Sequence, residues 1–432
     1  MCYGGFDMLD NFKINISGNL DFSLPEMVEV KQKFEPRGLQ NISETIFNEM
    51  KREEIKSLIA PGSKIAIGVG SRGVANISKV VESLVSSIKN LGGNPFIFPA
   101  MGSHGGGTAE AQESLLAGYN VTEESVGAPI VSSMETLVVT EMGDGTLVHM
   151  DRNAYDADGV ILVNRIKPHT SFRGDIESGI VKMMTIGMGK INGASMLHGS
   201  YPMADFGTHL PRVAKKLLPN INFLFGVGLV EDAYDDTAII ECIPKDSLFE
   251  REKVLQSKAK LFMGRLYIDN IDVLVIDEIG KEISGAGCDP NVTGRNMRGV
   301  SGFDKPTVNK IVLLDLTKAT NGNATGFSSA DVITQRLLNK VDFSVTYANV
   351  IASTYLEGGK IPIPMKTSED ALRLAIKTLN GIDPMNARVV RIKNTLELSE
   401  ISISESLLSE ARNNELIEVV GEPKKIEFND AA

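Results

Sequence analysis

The chain has no tryptophan and, in 432 residues, only five histidines and three cysteines. Cys2, Cys242 and Cys288 lack metal-ligand spacing and cannot all pair with one another. No H-E-x-x-H segment occurs, which argues against an ordinary zinc peptidase, and no G-x-S-x-G, which leaves a hydrolase elbow unsupported. No apolar run approaches the roughly 20 residues that span a bilayer. Positive charge is in deficit, 44 Lys and Arg against 55 Asp and Glu, for a net charge of −11. That balance argues against nucleic acid or an anionic membrane as the main partner. The opening "MCYGGFDMLDNFKIN" has no basic region followed by an apolar one, so no signal peptide is expected. With so few cysteines, this predicts a reducing, cytoplasmic setting.

What is present is ordinary in bulk, 42% hydrophobic and 23% charged. The length allows two domains, each with its own core. "KIAIGVG", from Lys64, reads as a buried strand. Ile77, Val80, Val81, Leu84, Val85, Ile88 and Leu91 then follow helical spacing. "PFIFPA", "GVILVNRI" and "INFLFGVGL" are further strands, and a helix is expected from Lys245 to about Met263. A second unit begins near Ile268, with strands at "IDVLVIDEI" and "KIVLLDL" and helices at Ser328–Leu338 and "TSEDALRLAIKTL". Strands alternating with helices predict an α/β protein of two α/β domains with mainly parallel sheets and an active site in the cleft between them. The boundaries expected are 1–267 and 268–402, with a C-terminal helix in 403–432 as a candidate to complete the first domain.

Five stretches carry candidate chemistry. "GVGSRG" follows a strand and precedes a helix, so Gly70, Ser71 and Arg72 form a candidate anion site. The next strand ends in Pro99-Ala100-Met101 instead of an acidic residue, which counts against ordinary NAD binding. "GSHGGGTAEA" places His104 at a strand end before a helix that Thr108 would cap. "KPHTSFRGDIESGIVK" places His169 at another strand end and Lys182 on a helix starting near Asp175. A lysine there either snorkels to water or serves as a nucleophile or anion contact. "GMGKINGASMLHG" ends in His198, which suits a metal ion or a surface position. "SGAGCDPNVTGRNMRG" supplies Arg295 and Arg298, whose guanidinium forks suit carboxylates and phosphates.

In this order, Arg72, His104, His169, Lys182 and His198 resemble the nickel-pincer-dependent lactate racemase family. The resemblance runs from about Ser63 to His198 and, more loosely, over Gly285–Arg298. It implies nickel held by a nickel-pincer nucleotide, a modified pyridinium mononucleotide made by dedicated cofactor-biosynthesis proteins. It implies Lys182 as the cofactor lysine, by a thioamide bond or by non-covalent contact, and His198 as a nickel ligand. It implies His104 and His169 as acid and base, and Arg72, Arg295 and Arg298 as contacts to substrate or cofactor phosphate. The expected activity is racemisation or epimerisation of a 2-hydroxy acid, in a monomer or a homo-oligomer. The alternatives are a nicotinamide-dependent oxidoreductase and a non-catalytic ligand-binding homologue.

Overall fold

The computed structural model describes residues 19–71, 73–303 and 305–430. Arg72 and Cys2 lie outside the described residues. The chain divides into two compact units, one formed by Pro36–Met263 and the other by Met1–Glu35 together with Gly264–Ala432. No helix among the described residues is long and apolar enough to cross a membrane.

The unit Pro36–Met263 is built on a five-stranded sheet in the order Asn94–Pro99, Lys64–Val69, Gly159–Arg165, Phe223–Glu231, Thr237–Pro244. The first four strands are parallel and the last is antiparallel. Alternation along Lys64–Val69 explains the two layers. Ile65, Ile67 and Val69 face one core, shared with Val80, Val81, Leu84 and Ile88 of helix Ile77–Asn90. Ala66 faces the other, shared with Phe98, Leu162, Ile180, Val181, Met183 and Met184. Each such fully buried aliphatic side chain contributes about 1.5–3 kcal/mol.

Strand order decides where the site lies. Lys64–Val69 sits between Asn94–Pro99 on one side and Gly159–Arg165 on the other. The chain leaves the first strand in one direction and later returns to its opposite side. Ligands of open α/β sheets bind beyond the carboxyl ends of strands at such a reversal.

The other unit holds an eight-stranded sheet in the order Ile363–Met365, Val332–Thr334, Thr307–Leu313, Asn270–Ile276, Val389–Ile392, Glu400–Ser404, Met27–Gln32, Ile417–Val419. Its first five strands are parallel and its last three pair antiparallel. The α/β class and the mainly parallel sheets agree with the sequence reading.

Two details differ from it. The described residues up to Glu35 fall in the same unit as the C-terminal part, because Met27–Gln32 is hydrogen-bonded to Glu400–Ser404 and to Ile417–Val419. The same pairing keeps the C-terminal tail in this unit. The helix expected over Ser328–Leu338 is a short helical turn, then the strand Val332–Thr334, then helix Gln335–Asn339. Parallel pairing with Val312 and Leu313 overrides the local spacing there.

Candidate functional site

Three neighbouring strands end at one edge of the sheet in the unit Pro36–Met263, and each is followed by a candidate residue. Val69 leads to Gly70 and Ser71, Pro99 to His104, and Arg165 to His169. Ser71 Oγ and His104 Nδ1 are hydrogen-bonded to each other. Tyr119 donates its hydroxyl to the Ser71 carbonyl at 2.6 Å, which fixes the backbone of that turn.

The His104 turn depends on glycine. Gly102, Gly105, Gly106 and Gly107 have φ of 59°, 64°, 64° and 69°, the left-handed region that L side chains rarely adopt. A Cβ on Gly107 would stand 2.6 Å from Ile191 Cδ1, so the turn packs directly on helix Lys190–Ser200. Buried Gln112 donates to the carbonyls of Gly102 and His104 at 2.9 and 3.0 Å. Thr108 caps the next helix as its sequence position predicts, accepting from the Ala111 N–H at 3.3 Å.

His169 sits in a loop closed by an isolated bridge between Lys167 and Ser178. The loop is organised by Glu177, whose side chain is fully buried. Its carboxylate accepts the His169 N–H at 2.7 Å and the Gly174 N–H at 3.3 Å, and it pairs with Lys260 at 2.6 Å. Arg173 donates to the His169 carbonyl at 3.0 Å and lies 3.5 Å from Glu177. The His169 ring stacks on Phe172 with centroids 4.1 Å apart. Ser171 donates its N–H to His169 Nδ1 at 3.0 Å.

The helix carrying Lys182 starts at Ile180, not near Asp175. Glu177 is drawn into its own loop instead, and Glu252 takes over at the helix start. The Glu252 carboxylate accepts the Val181 N–H at 3.0 Å. Burial pushes its pKa up to about 8 against the pull of the Val181 and Ile180 amides. A Cβ on Gly179 would lie 2.2 Å from Glu252 Oε1, so any side chain here would displace the Glu252 carboxylate. Lys182 is half-buried, while Ile180, Val181, Met183 and Met184 around it are buried. Immediately after it the helix widens into a π-helical turn at Met183–Gly187, a distortion frequent at functional sites. A Cβ on Gly187 would stand 2.5 Å from the Ala100 carbonyl, and one on Gly70 3.0 Å from Met183 Cε. The Lys182 helix therefore packs against the ends of the strands Asn94–Pro99 and Lys64–Val69.

His198 is half-buried on helix Lys190–Ser200 and packs on Phe206 at 5.0 Å between centroids. Phe206 in turn meets Phe172 at 5.9 Å, and Phe172 meets His169. A string of four rings thus joins His198 to His169. Among the described residues no three His, Cys, Asp or Glu side chains form a group able to hold an ion. The remaining histidines have packing partners of their own. His149 lies on strand Leu147–Asp151, and His209 stacks on Tyr201 at 3.9 Å.

The other unit separates its two arginines. Arg295 pairs with Asp331 at 2.6 Å and donates to the carbonyls of Ser329, Val308 and Asn309, so it serves as a strut of that unit. Arg298 lies over the Tyr355 ring at 3.9 Å, and burial lowers its pKa.

The helix Leu248–Phe262 was expected from its spacing, but its part in the site was not. It carries Glu252, Gln256 and Lys260 at four-residue intervals on one face. Gln256 accepts the Glu177 N–H at 3.4 Å, between the Glu252 and Lys260 contacts. The buried pair of Lys190 and Asp151 was missed as well. The signal available was a carboxylate and an amide at helical spacing, a pattern common on solvated faces.

Residues 11–200 match the family described as lactate racemase N-terminal domain. No curated protein matches. The chain is similar in fold to the lactate racemase apoprotein from Thermoanaerobacterium thermosaccharolyticum, at 13% identity and a TM-score of 0.53, over 86% of this chain and 99% of that one. His104, His169, Lys182 and His198 all lie within the stretch that matches the lactate racemase N-terminal domain, and the chain as a whole is an α/β protein similar in fold to that lactate racemase apoprotein.

Proposed function

We propose that this chain is an isomerase that racemises or epimerises a 2-hydroxy acid with a nickel-pincer nucleotide. The observation that carries the reading is the convergence of Ser71–His104 and His169 on adjacent strand ends, with the Lys182 helix packed at the reversal. The residues suit that cofactor. His198, half-buried on helix Lys190–Ser200 beside Phe206, is the candidate metal donor. Lys182 is the amine to attach or contact the nucleotide. The all-glycine turn at Gly105–Gly107 leaves the Cβ position of Gly106 open, with nothing within 4 Å.

When bound, the nucleotide supplies a hydride acceptor at carbon. The chain's own residues do the rest. His104 and His169 exchange the hydroxyl proton as acid and base, a role suited to an imidazole pKa of about 6.5. Buried Glu177 and Gln112 hold the two turns in place. Arg298 is the candidate for a substrate carboxylate, since Arg295 is committed to Asp331.

The test is nickel per chain after exposure to the cofactor-building enzymes, with His198→Ala as control. Near-stoichiometric nickel in the wild type and a large loss in the variant are expected, followed by turnover of a chiral 2-hydroxy acid. No nickel, where a known lactate racemase loads normally, would sink the reading.

A further inference from the structure

The sheet order of the unit Pro36–Met263 reverses between the strands Lys64–Val69 and Gly159–Arg165. Val69 pairs with Val163, so Asn164 stands beside Gly70 at the carboxyl end of that reversal. Val163 before it is buried in the core under helix Ile77–Asn90, and Arg165 after it pairs with Glu231. Asn164 shares its face with Leu162, the side on which Val181 and Met183 of the Lys182 helix pack.

One hydrogen bond sets the direction of the Asn164 amide. Nδ2 donates to the Gly179 carbonyl at 2.8 Å. A carbonyl oxygen only accepts, so the nitrogen faces Gly179 and the oxygen faces away from it. The same carbonyl accepts the Met183 N–H at 3.0 Å, the bond that opens the Lys182 helix. Oδ1 is thereby turned toward Gly70, whose Cβ position would lie 3.2 Å from it. Asn164 is half-buried, and among the described residues no donor meets Oδ1.

An acceptor in that crevice has a chemical use. Doubly wound folds hold a ribose hydroxyl with an acid at the end of the second strand. Here that strand, Asn94–Pro99, runs into Ala100 and Met101, both buried and apolar. Asn164 offers an acceptor from the other side of the central strand Lys64–Val69. Its amide carries no charge, which suits a pocket that also takes phosphate and carboxylate groups.

We infer that Asn164 Oδ1 accepts a hydrogen bond from a ribose hydroxyl of the bound mononucleotide. This rests on the nucleotide reading above. One side chain then serves both ends of the site: Nδ2 holds the start of the Lys182 helix, and Oδ1 holds the sugar.

The experiment uses the cofactor-free full-length protein and nicotinic acid mononucleotide as the probe, a pyridinium mononucleotide with an intact ribose. Calorimetry compares it with its 2′-fluoro and 3′-fluoro analogues, each of which lacks one hydroxyl donor. Wild type should bind one of the analogues about 2–10-fold more weakly than the parent, the worth of a neutral hydrogen bond. Asn164→Ala should remove that gap. Because it also loses the Gly179 bond, Gly70→Ala is the second variant, and it decides the matter where Asn164→Ala fails to fold. Gly70 has φ outside the left-handed region, so its backbone accepts alanine. The added methyl would stand 3.2 Å from Oδ1 and 3.0 Å from the flexible end of Met183, covering the acceptor while the Gly179 bond stays in place. The gap should vanish there too. A gap that survives in Asn164→Ala, with all ligands weakened alike, makes the residue a structural tie only and overturns the inference. Nickel uptake by wild type after exposure to the cofactor-building enzymes, with no discrimination among the ligands, overturns this assignment alone. No uptake and no binding of any ligand brings down the nucleotide reading and the assignment with it.

Discussion

Lys190 Nζ lies 3.1 Å from Asp151 Oδ2, and both side chains have zero exposure. Oδ2 makes no hydrogen bond of good geometry, so the contact is an ion pair. Burial pushes the Asp151 pKa up and the Lys190 pKa down, and each charge offsets the other. Lys190 also donates to the Pro99 carbonyl at 2.5 Å and holds φ at 53°. The pair thus ties the start of the His198 helix to the strand that ends in the His104 turn.

Breaking one partner strands a buried charge. Lys190→Met is expected to cost about 3–5 kcal/mol, and adding Asp151→Asn should recover much of it, since the amide keeps the cap on Ala154 through Oδ1. Denaturant unfolding of the two single variants and the double one measures the coupling. Additive losses would show that the pair contributes no coupling energy.

Glu252 gives a pH dependence of known sign. Its folded pKa of about 8 stands above the ordinary value of 4.5. Between those values the unfolded chain has released a proton that the folded one retains. Stability from this group is therefore full below 4.5, falls as pH rises toward 8, and is level above it. Glu252→Gln should flatten the fall in Tm across that window relative to wild type. An unchanged slope would mean that Glu252 is ionised in the folded protein.

The sheet edge was legible in the sequence because buried strands are short apolar runs and their ends are marked by Gly70, Pro99 and Pro168. The helix Ile77–Asn90 was legible through its apolar spacing. The start of the Lys182 helix was not. Asp175 and Glu177 look like first-turn acids, yet Glu177 turns back to His169 and the real cap comes from Glu252, distant in sequence. Nor could spacing separate Arg295 from Arg298. Asp331, which decides the difference, lies on a segment that itself reads as helical by local pattern. Local pattern reports which face is buried and says little about which polar group meets which.

The two arginines can be told apart by experiment. Arg295→Ala removes the partner of Asp331 and three carbonyl contacts. It should lower stability by about 1–3 kcal/mol. Arg298→Ala should leave Tm nearly unchanged and raise KM for the hydroxy acid about tenfold or more, as loss of a charged contact does. The two variants are compared by thermal unfolding and by KM on the same preparation. A drop in Tm for Arg298→Ala with unchanged KM would make it a second strut.

Under the proposed function, Lys182 is the residue that would hold the cofactor. Its neighbours Val181, Met183 and Met184 are buried while Lys182 itself is half-buried, so its amine is not confined to the core. The π-helical turn after it and the close approach of Gly187 to Ala100 fix the helix on which it stands. Lys182→Arg keeps the positive charge but cannot form an amide or thioamide through an amine. If the link is covalent, the intact mass of wild-type chain exposed to the cofactor-building enzymes should rise by one nucleotide after denaturation, and that of Lys182→Arg should not. If the contact is only ionic, neither chain should gain mass, and both should hold nickel under native conditions. Mass gain in both would place the attachment on another residue and remove Lys182 from the site.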